Sequence, residues 1–256
     1  MLQNYKPQSS DMYLSPHPDD VCFSLGHTAS MRKCGKLITI FSKSIYQAKQ
    51  CYGATLQQIT SGRHGEDKHF ASKCKLNLMH LGFPDSMVRG QDSFDIRLAN
   101  EVALFIEEIF ISVLMKEASK VKGHTNENLP LLFCPAAIGG HIDHLAVLIT
   151  ILKWQHLLGK YFHIVFYEDL FYASNAQTRI TGLDRLFALQ KNAQMTRICN
   201  RLEQIDCVNK MNLISIYQSQ LTDGHYEMDS YIPASGDVFA HEAIWLNGYD
   251  RAQASG

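Results

Sequence analysis

The sequence predicts an α/β fold, Rossmann-like, with a mainly parallel sheet, helices on both faces and a short C-terminal extension. Two observations predict it. Short apolar runs at 12–15, 36–41, 131–134 and 163–167 are separated by stretches of helical spacing, and the first two runs bracket a helix-length segment as in a βαβ unit.

Met12 to Ser15 is stopped by Ser-Pro-His-Pro, so a buried strand ends there and leaves room for a site. Asp20 to Lys33 opens on an acid, mixes small and apolar residues at helical spacing and is followed by Gly35, which reads as a helix. Lys36 to Phe41 is apolar and β-branched, a central strand. Ser42 to Thr60 has no pattern and is expected to be a loop overhanging a site. A second helix is expected from about Gly62 to Leu81, broken by Leu81-Gly82-Phe83-Pro84-Asp85. From Ile96 to Lys120, apolar residues at 98, 102, 105, 106, 109, 113 and 114 make a helical stripe. Leu131 to Cys134 is a buried strand, Asp143 to Leu158 a helix and His163 to Tyr167 a further strand. Two amphipathic stretches, Leu183 to Leu202 and Lys210 to Leu221, read as elements appended to a single domain over 1–256, with its core at about 12–170 and its extension at 171–256.

At 256 residues, 46% hydrophobic and 19% charged, the chain can bury a sizeable core. A net charge of -1, with no basic patch, argues against a nucleic-acid binder. No apolar run approaches the roughly 20 residues of a membrane span. The polar N-terminus and seven scattered cysteines without a CxxC pair point to reduced thiols and a cytoplasmic protein. A homo-oligomer is compatible with the sequence. Neither phosphate-cradling glycine motif occurs, nor a Gly-x-Ser-x-Gly elbow.

Two clusters carry chemistry. His17-Pro18-Asp19-Asp20 follows the first strand, and buried carboxylates beside an imidazole call for a positive partner such as a divalent metal. Alone, the tetrapeptide also reads as a turn with Asp20 capping the first helix. Gly139-Gly140-His141-Ile142-Asp143-His144 follows another strand and offers two imidazoles and a carboxylate; alone, it also reads as an exposed helix start. Both clusters fall at carboxyl ends of strands, where open α/β sheets bind ligands. A His-Asp-His donor set suits zinc with an open position for water.

Together, His17-Pro18-Asp19-Asp20 within Ser15 to Gly26 and His141-Ile142-Asp143-His144 resemble the signature of the PIG-L/LmbE family of zinc-dependent N-deacetylases. Weaker echoes are Arg63-x-x-Glu66, Leu81 to Asp85, Tyr217 to Gln220 and Glu242 to Trp245, so the resemblance spans nearly the whole chain. It implies hydrolysis of the N-acetyl group of an N-acetylglucosamine-type sugar in a small glycoconjugate or antibiotic intermediate such as an aminoglycoside, with release of acetate. In that pattern His17, Asp20 and His144 bind zinc, Asp19 is the general base, His141 stabilises the tetrahedral intermediate and Asp143 is a supporting partner. Val21 stands where many members have Glu, which marks a branch of the family. His27 stands where Gly is usual and reads as a solvent-facing helical residue. Arg63 is a candidate for a sugar hydroxyl or phosphate, with a helical ion pair to Glu66 as the alternative. Asp85 is a candidate sugar-hydroxyl acceptor, with a turn-forming role as the alternative. His64, His69 and His80 read as surface residues; His124 lies in a polar loop, and His225 and His241 have no assigned place. Ser42 to Thr60, Ser86 to Asp95 and the tail after Asp169 are expected to shape the pocket. The rival readings are a metal-dependent hydrolase of an ester or N-glycoside and a non-catalytic sugar-binding protein.

Overall fold

A computed structural model describes residues 5–48, 53–121, 129–191, 194–221 and 240–247. Strands β1 (Met12–Ser15), β2 (Lys36–Thr39), β3 (Asn77–His80), β4 (Leu131–Pro135), β5 (His163–Tyr167), β6 (Met195–Arg201) and β7 (His241–Asn247) form one sheet in the order β3-β2-β1-β4-β5-β7-β6. The β1/β2, β2/β3, β1/β4 and β4/β5 pairs are parallel, whereas β7 runs antiparallel to both β5 and β6. From β1 the chain winds outward to β2 and β3, then returns to β4 on the other side of β1. The order therefore reverses between β1 and β4, and the loops leaving these two strands diverge around a crevice.

Both faces are covered. Met12, Leu14, Leu132, Cys134, Ile164 and Phe166 point into one core, whereas Tyr13, Leu131, Phe133, Val165 and Tyr167 point into the other. This strict alternation explains why the strands read as continuous apolar runs. The first face carries α3 (Ala99–Ala118), α4 (Ile142–Leu158) and α5 (Ala176–Leu189); the second carries α1 (Asp20–Arg32), α2 (Leu56–Cys74) and α6 (Gln204–Ile214).

Three expectations change. Helix α2 starts before Gly62, because Thr55 and Gln58 form a reciprocal capping box. It stops at Cys74, with Lys75 in the left-handed conformation, and β3 occupies the place where the helix was expected to continue. The stretch from Leu183 to Leu202 divides into the end of α5 and strand β6, whose ladder with β7 overrides its helical spacing. Lys210 to Leu221 holds only the end of α6 and a short turn at Gln218–Gln220. The segment read as appended thus supplies two strands of the same sheet.

His27 is buried rather than solvent-facing. Helix α1 departs from helical angles at Leu25, and the Glu242 carboxylate from β7 accepts hydrogen bonds from the His27 and Thr28 amides at 2.9 and 2.8 Å. Lys210 Nζ donates to the same carboxylate at 2.7 Å. His64 and His80 are not surface residues either: they are half-buried and stacked 3.9 Å apart, with His64 Nε2 on the Ser42 carbonyl and His80 Nε2 on Asp67. His241 opens β7 and meets Arg197. His124 and His225 lie outside the described residues, as does Cys51. The other six cysteines are free, and no described helix is long and apolar enough to cross a membrane.

Candidate active site

The loops after β1 and β4 converge as the strand order requires. Between Pro16 and Pro18, the His17 amide donates to Asp20 Oδ2 at 2.6 Å, folding the tetrapeptide back on itself. The Asp20 side chain is thereby turned toward His17, and no side-chain cap bond closes the start of α1. Asp19 sits at φ 114 and ψ -37, a left-handed conformation that favours glycine. After β4 the backbone turns through Gly139 and Gly140, both at positive φ, and a Cβ on Gly139 would lie 2.4 Å from the Tyr172 ring. Only glycine allows the turn to pack there and deliver His141 to the start of α4.

Asp20 Oδ2 lies 3.3 Å from His17 Nδ1 and 3.3 Å from His144 Nε2. The far nitrogen of each ring is anchored on a buried carboxylate: His17 Nε2 on Asp143 Oδ2 at 2.9 Å, and His144 Nδ1 on Asp169 Oδ1 at 2.7 Å. Asp143 Oδ2 also accepts from the Ser86 amide, and Asp143 Oδ1 accepts from Arg89 at 2.6 Å. Asp169 Oδ2 accepts from the Ile138 amide. The donor atoms of His17, His141 and His144 lie within 4.8 Å of one another, a group that could hold a metal ion.

His141 is wired differently. As the cap of α4, its Nδ1 accepts from the Asp143 amide at 3.2 Å, so the proton of the neutral ring resides on Nε2. Burial, reinforced by the neighbouring His17 and His144, drives its pKa down to about 2 and keeps the ring neutral. Burial opposes protonation of His17 as well, yet its bonds to Asp143 and Asp20 raise it to about 9. Against the same penalty, Asp20 and Asp169 carry His144 well above the ordinary imidazole value. Carboxylates on both sides thus pull the His17 and His144 rings toward positive charge, and imidazoles clustered beside a carboxylate suit a borderline divalent cation. Burial and the adjacent Asp20 raise Asp19 to about 8, opposed by Arg63 and His17.

His17, Asp19, Asp20, His141 and His144 line a cavity of about 480 Å³ together with Asp85, Arg63 and residues of three loops: Tyr46 and Ala48; Ser86, Met87, Ser93 and Phe94; and Leu170 to Tyr172. Arg63 is buried and donates to Ser44 Oγ and to the Pro18 carbonyl, with Asp19 Oδ1 at 3.5 Å; it does not pair with Glu66, which binds the Ser219 amide and hydroxyl. Asp85 is buried, accepts from the Val88 amide as a turn residue would, and lines the cavity as well. Asp143 lies behind His17, away from the cavity. Sequence reasoning missed Asp169 as a partner of His144, and it placed Ser86 and Arg89 only within a segment expected to shape the pocket, without their bonds to Asp143. No motif marks them, although Asp169 directly follows the end of β5 and so sits at the same sheet edge as the two clusters.

No family model matches the sequence. The 2'-N-acetylparomamine deacetylase of Streptomyces fradiae is 28% identical over 171 residues, 63% of this chain and 57% of that protein's length. A deacetylase of the teicoplanin biosynthesis pathway has the same fold, with a TM-score of 0.65, 16% identity and 91% and 96% of the two chains covered. N,N'-diacetylchitobiose deacetylase from Pyrococcus horikoshii matches with a TM-score of 0.56, 14% identity and 97% and 88% covered. The α/β fold expected from the sequence is thus the fold of solved deacetylases.

Proposed function

We propose that the chain is a zinc-dependent N-deacetylase that hydrolyses the acetamide of an amino sugar in a glycoconjugate. One observation carries this reading: Asp20 Oδ2 lies 3.3 Å from one nitrogen each of His17 and His144, while the opposite nitrogens are held by Asp143 and Asp169. Carboxylates behind imidazoles orient them as metal ligands. His17, Asp20 and His144 are therefore the ligands. His141, though close enough to join them, has its Nδ1 lone pair occupied and its Nε2 protonated, which suits a donor better than a ligand. The 28% identical relative, a 2'-N-acetylparomamine deacetylase, supports the same chemistry.

When bound, zinc supplies Lewis acidity that makes water nucleophilic near neutral pH. Asp19, raised toward neutrality and kept in place by its strained turn and by Arg63 behind Pro18, accepts the proton of the attacking water. As the C–N bond breaks, it returns that proton to the leaving nitrogen. The products are acetate and the free amine. The Nε2–H of His141 donates to the carbonyl oxygen as negative charge develops there. Asp85 is placed to accept from a sugar hydroxyl, and Arg63 holds the Pro18-Asp19 turn rather than the sugar.

The test is acetate release, by coupled assay and mass spectrometry, from methyl N-acetylglucosaminide and 2'-N-acetylparomamine with zinc-loaded protein. A stoichiometric amine and acetate pair supports the reading. Cleavage of an ester or N-glycoside in place of the amide, or binding without turnover, replaces it.

A further inference from the structure

The Arg89 guanidinium is the hub of the segment that follows β3. Its Nε donates to Gln91 Oε1 at 2.7 Å, one terminal nitrogen donates to the Pro84 carbonyl at 2.6 Å, and the other donates to Asp143 Oδ1 at 2.6 Å. Its Cζ lies over the Phe41 ring, 5.1 Å from the centroid. Three bonds and one face are engaged at once, which a planar fork of donors can do and a lysine ammonium cannot. Around this hub the backbone closes on itself: the Arg89 amide donates to the Asp85 carbonyl, and the Gln91 amide donates to the Ser86 carbonyl.

The segment held in this way faces two directions. Asp85, Ser86 and Met87 line the cavity, as do Ser93 and Phe94 beyond the turn. Away from the cavity the same segment grips Asp143, through Arg89 on Oδ1 and the Ser86 amide on Oδ2. Asp143 Oδ2 also holds His17 Nε2 at 2.9 Å. One carboxylate therefore joins the cavity wall to a ligand imidazole. Its side chain is 0% exposed, so salt does little to weaken the link. Phe41, on which Arg89 stacks, is a second neighbour of the same imidazole, with the two rings 6.1 Å apart.

We propose that Arg89 is a positioning residue that couples the metal to the sugar-facing wall: one guanidinium holds Asp143 against His17 and holds the turn that carries Asp85. The inference rests on the zinc reading of the site. Arg89 acts through Asp143 and the turn, without lining the cavity itself. Such coupling is reciprocal. Zinc that fixes His17 fixes Asp143 and steadies the turn, and a steady turn raises zinc affinity by the same factor.

The experiment compares the wild type with Arg89→Ala, zinc-free and zinc-loaded, by chelator competition for zinc affinity and by hydrogen exchange of peptides covering 84–93. In the wild type, zinc should slow exchange in the turn by about tenfold. Arg89→Ala should bind zinc about tenfold more weakly, the low end of the range for partners behind a ligand because Arg89 stands one bond further out. Its turn should exchange at one rate with and without zinc, while α6 exchanges as in the wild type. Guanidinium ion, against sodium chloride of equal concentration, should restore both properties to Arg89→Ala, which a general loss of fold would not allow. Unchanged zinc affinity in the variant, a turn that still slows with zinc, or no rescue by guanidinium overturns the inference. The wild type decides by itself if the variant does not fold, because a turn whose exchange ignores zinc carries no coupling. Acetate release from methyl N-acetylglucosaminide reports separately on the amide chemistry. Acetate without coupling removes only the role of Arg89, coupling without acetate removes only the deacetylase reading, and a wild type that takes up no zinc removes both.

Discussion

His144 Nδ1 lies 2.7 Å from Asp169 Oδ1, and both residues are buried at the carboxyl edge of the sheet. The contact leaves Nε2 as the nitrogen turned toward Asp20. Because Asp169 Oδ2 is itself fixed by the Ile138 amide, the ring cannot swing without breaking a second bond. Asp169→Asn should lower zinc affinity by about 10- to 100-fold, the usual cost of losing a carboxylate behind a ligating imidazole. Competition against a chromophoric chelator measures it, and unchanged affinity would reduce Asp169 to a packing residue.

Asp19 occupies a left-handed backbone conformation and a half-buried position where loss of solvent and the adjacent Asp20 raise its pKa. Asp19→Gly removes both costs. It should unfold in urea with a stability higher by about 1 kcal/mol or more, while acetate release is lost. A variant less stable than the wild type would mean that the Arg63 contact outweighs the strain.

His141→Ala should keep its zinc and lose about 10²- to 10³-fold in kcat, the scale of one oxyanion donor. Metal analysis alongside steady-state rates decides between donor and ligand. Loss of zinc would move His141 into the ligand set and Asp20 out of it.

Lys210 and Glu242 are each 1% exposed and form a 2.7 Å pair that joins α6 to β7. Glu242→Ala strands the ammonium and releases the two α1 amides, and should cost about 3–5 kcal/mol. The Lys210→Met, Glu242→Gln double variant should cost less than the single change, because no buried charge is left alone. Urea titration of the three proteins checks the order.

The parallel core and the two His/Asp clusters were legible because strands buried on both faces give uninterrupted apolar runs, and the clusters follow two of those runs directly. Strand β3 was not legible: Asn77 to His80 is a half-exposed edge strand with a polar residue at each end. Strands β6 and β7 were missed for another reason. Their ladder joins residues far apart in sequence, and no local pattern announces such a pairing. Among site residues, the ligand candidates carried a motif, whereas Asp169, Arg89 and Ser86 acquire their roles only when β5 and the segment after β3 are brought to the same sheet edge. His27 and His80 looked exposed because their partners, Asp206 and Asp67, are assembled by packing rather than by spacing.

The central claim is that two chemically identical neighbours, Asp19 and Asp20, divide the work of base and ligand. The most direct test is zinc content and acetate release of Asp19→Asn and Asp20→Asn, each assayed with equimolar and with saturating zinc. The account predicts that Asp19→Asn holds zinc like the wild type and stays inactive at any zinc concentration, because an amide cannot take the proton from water. It predicts that Asp20→Asn binds zinc weakly, because a neutral amide replaces an anionic ligand, and regains activity as zinc is added. If added zinc instead restores Asp19→Asn while Asp20→Asn retains its metal and stays inactive, the two roles are reversed and the account is wrong.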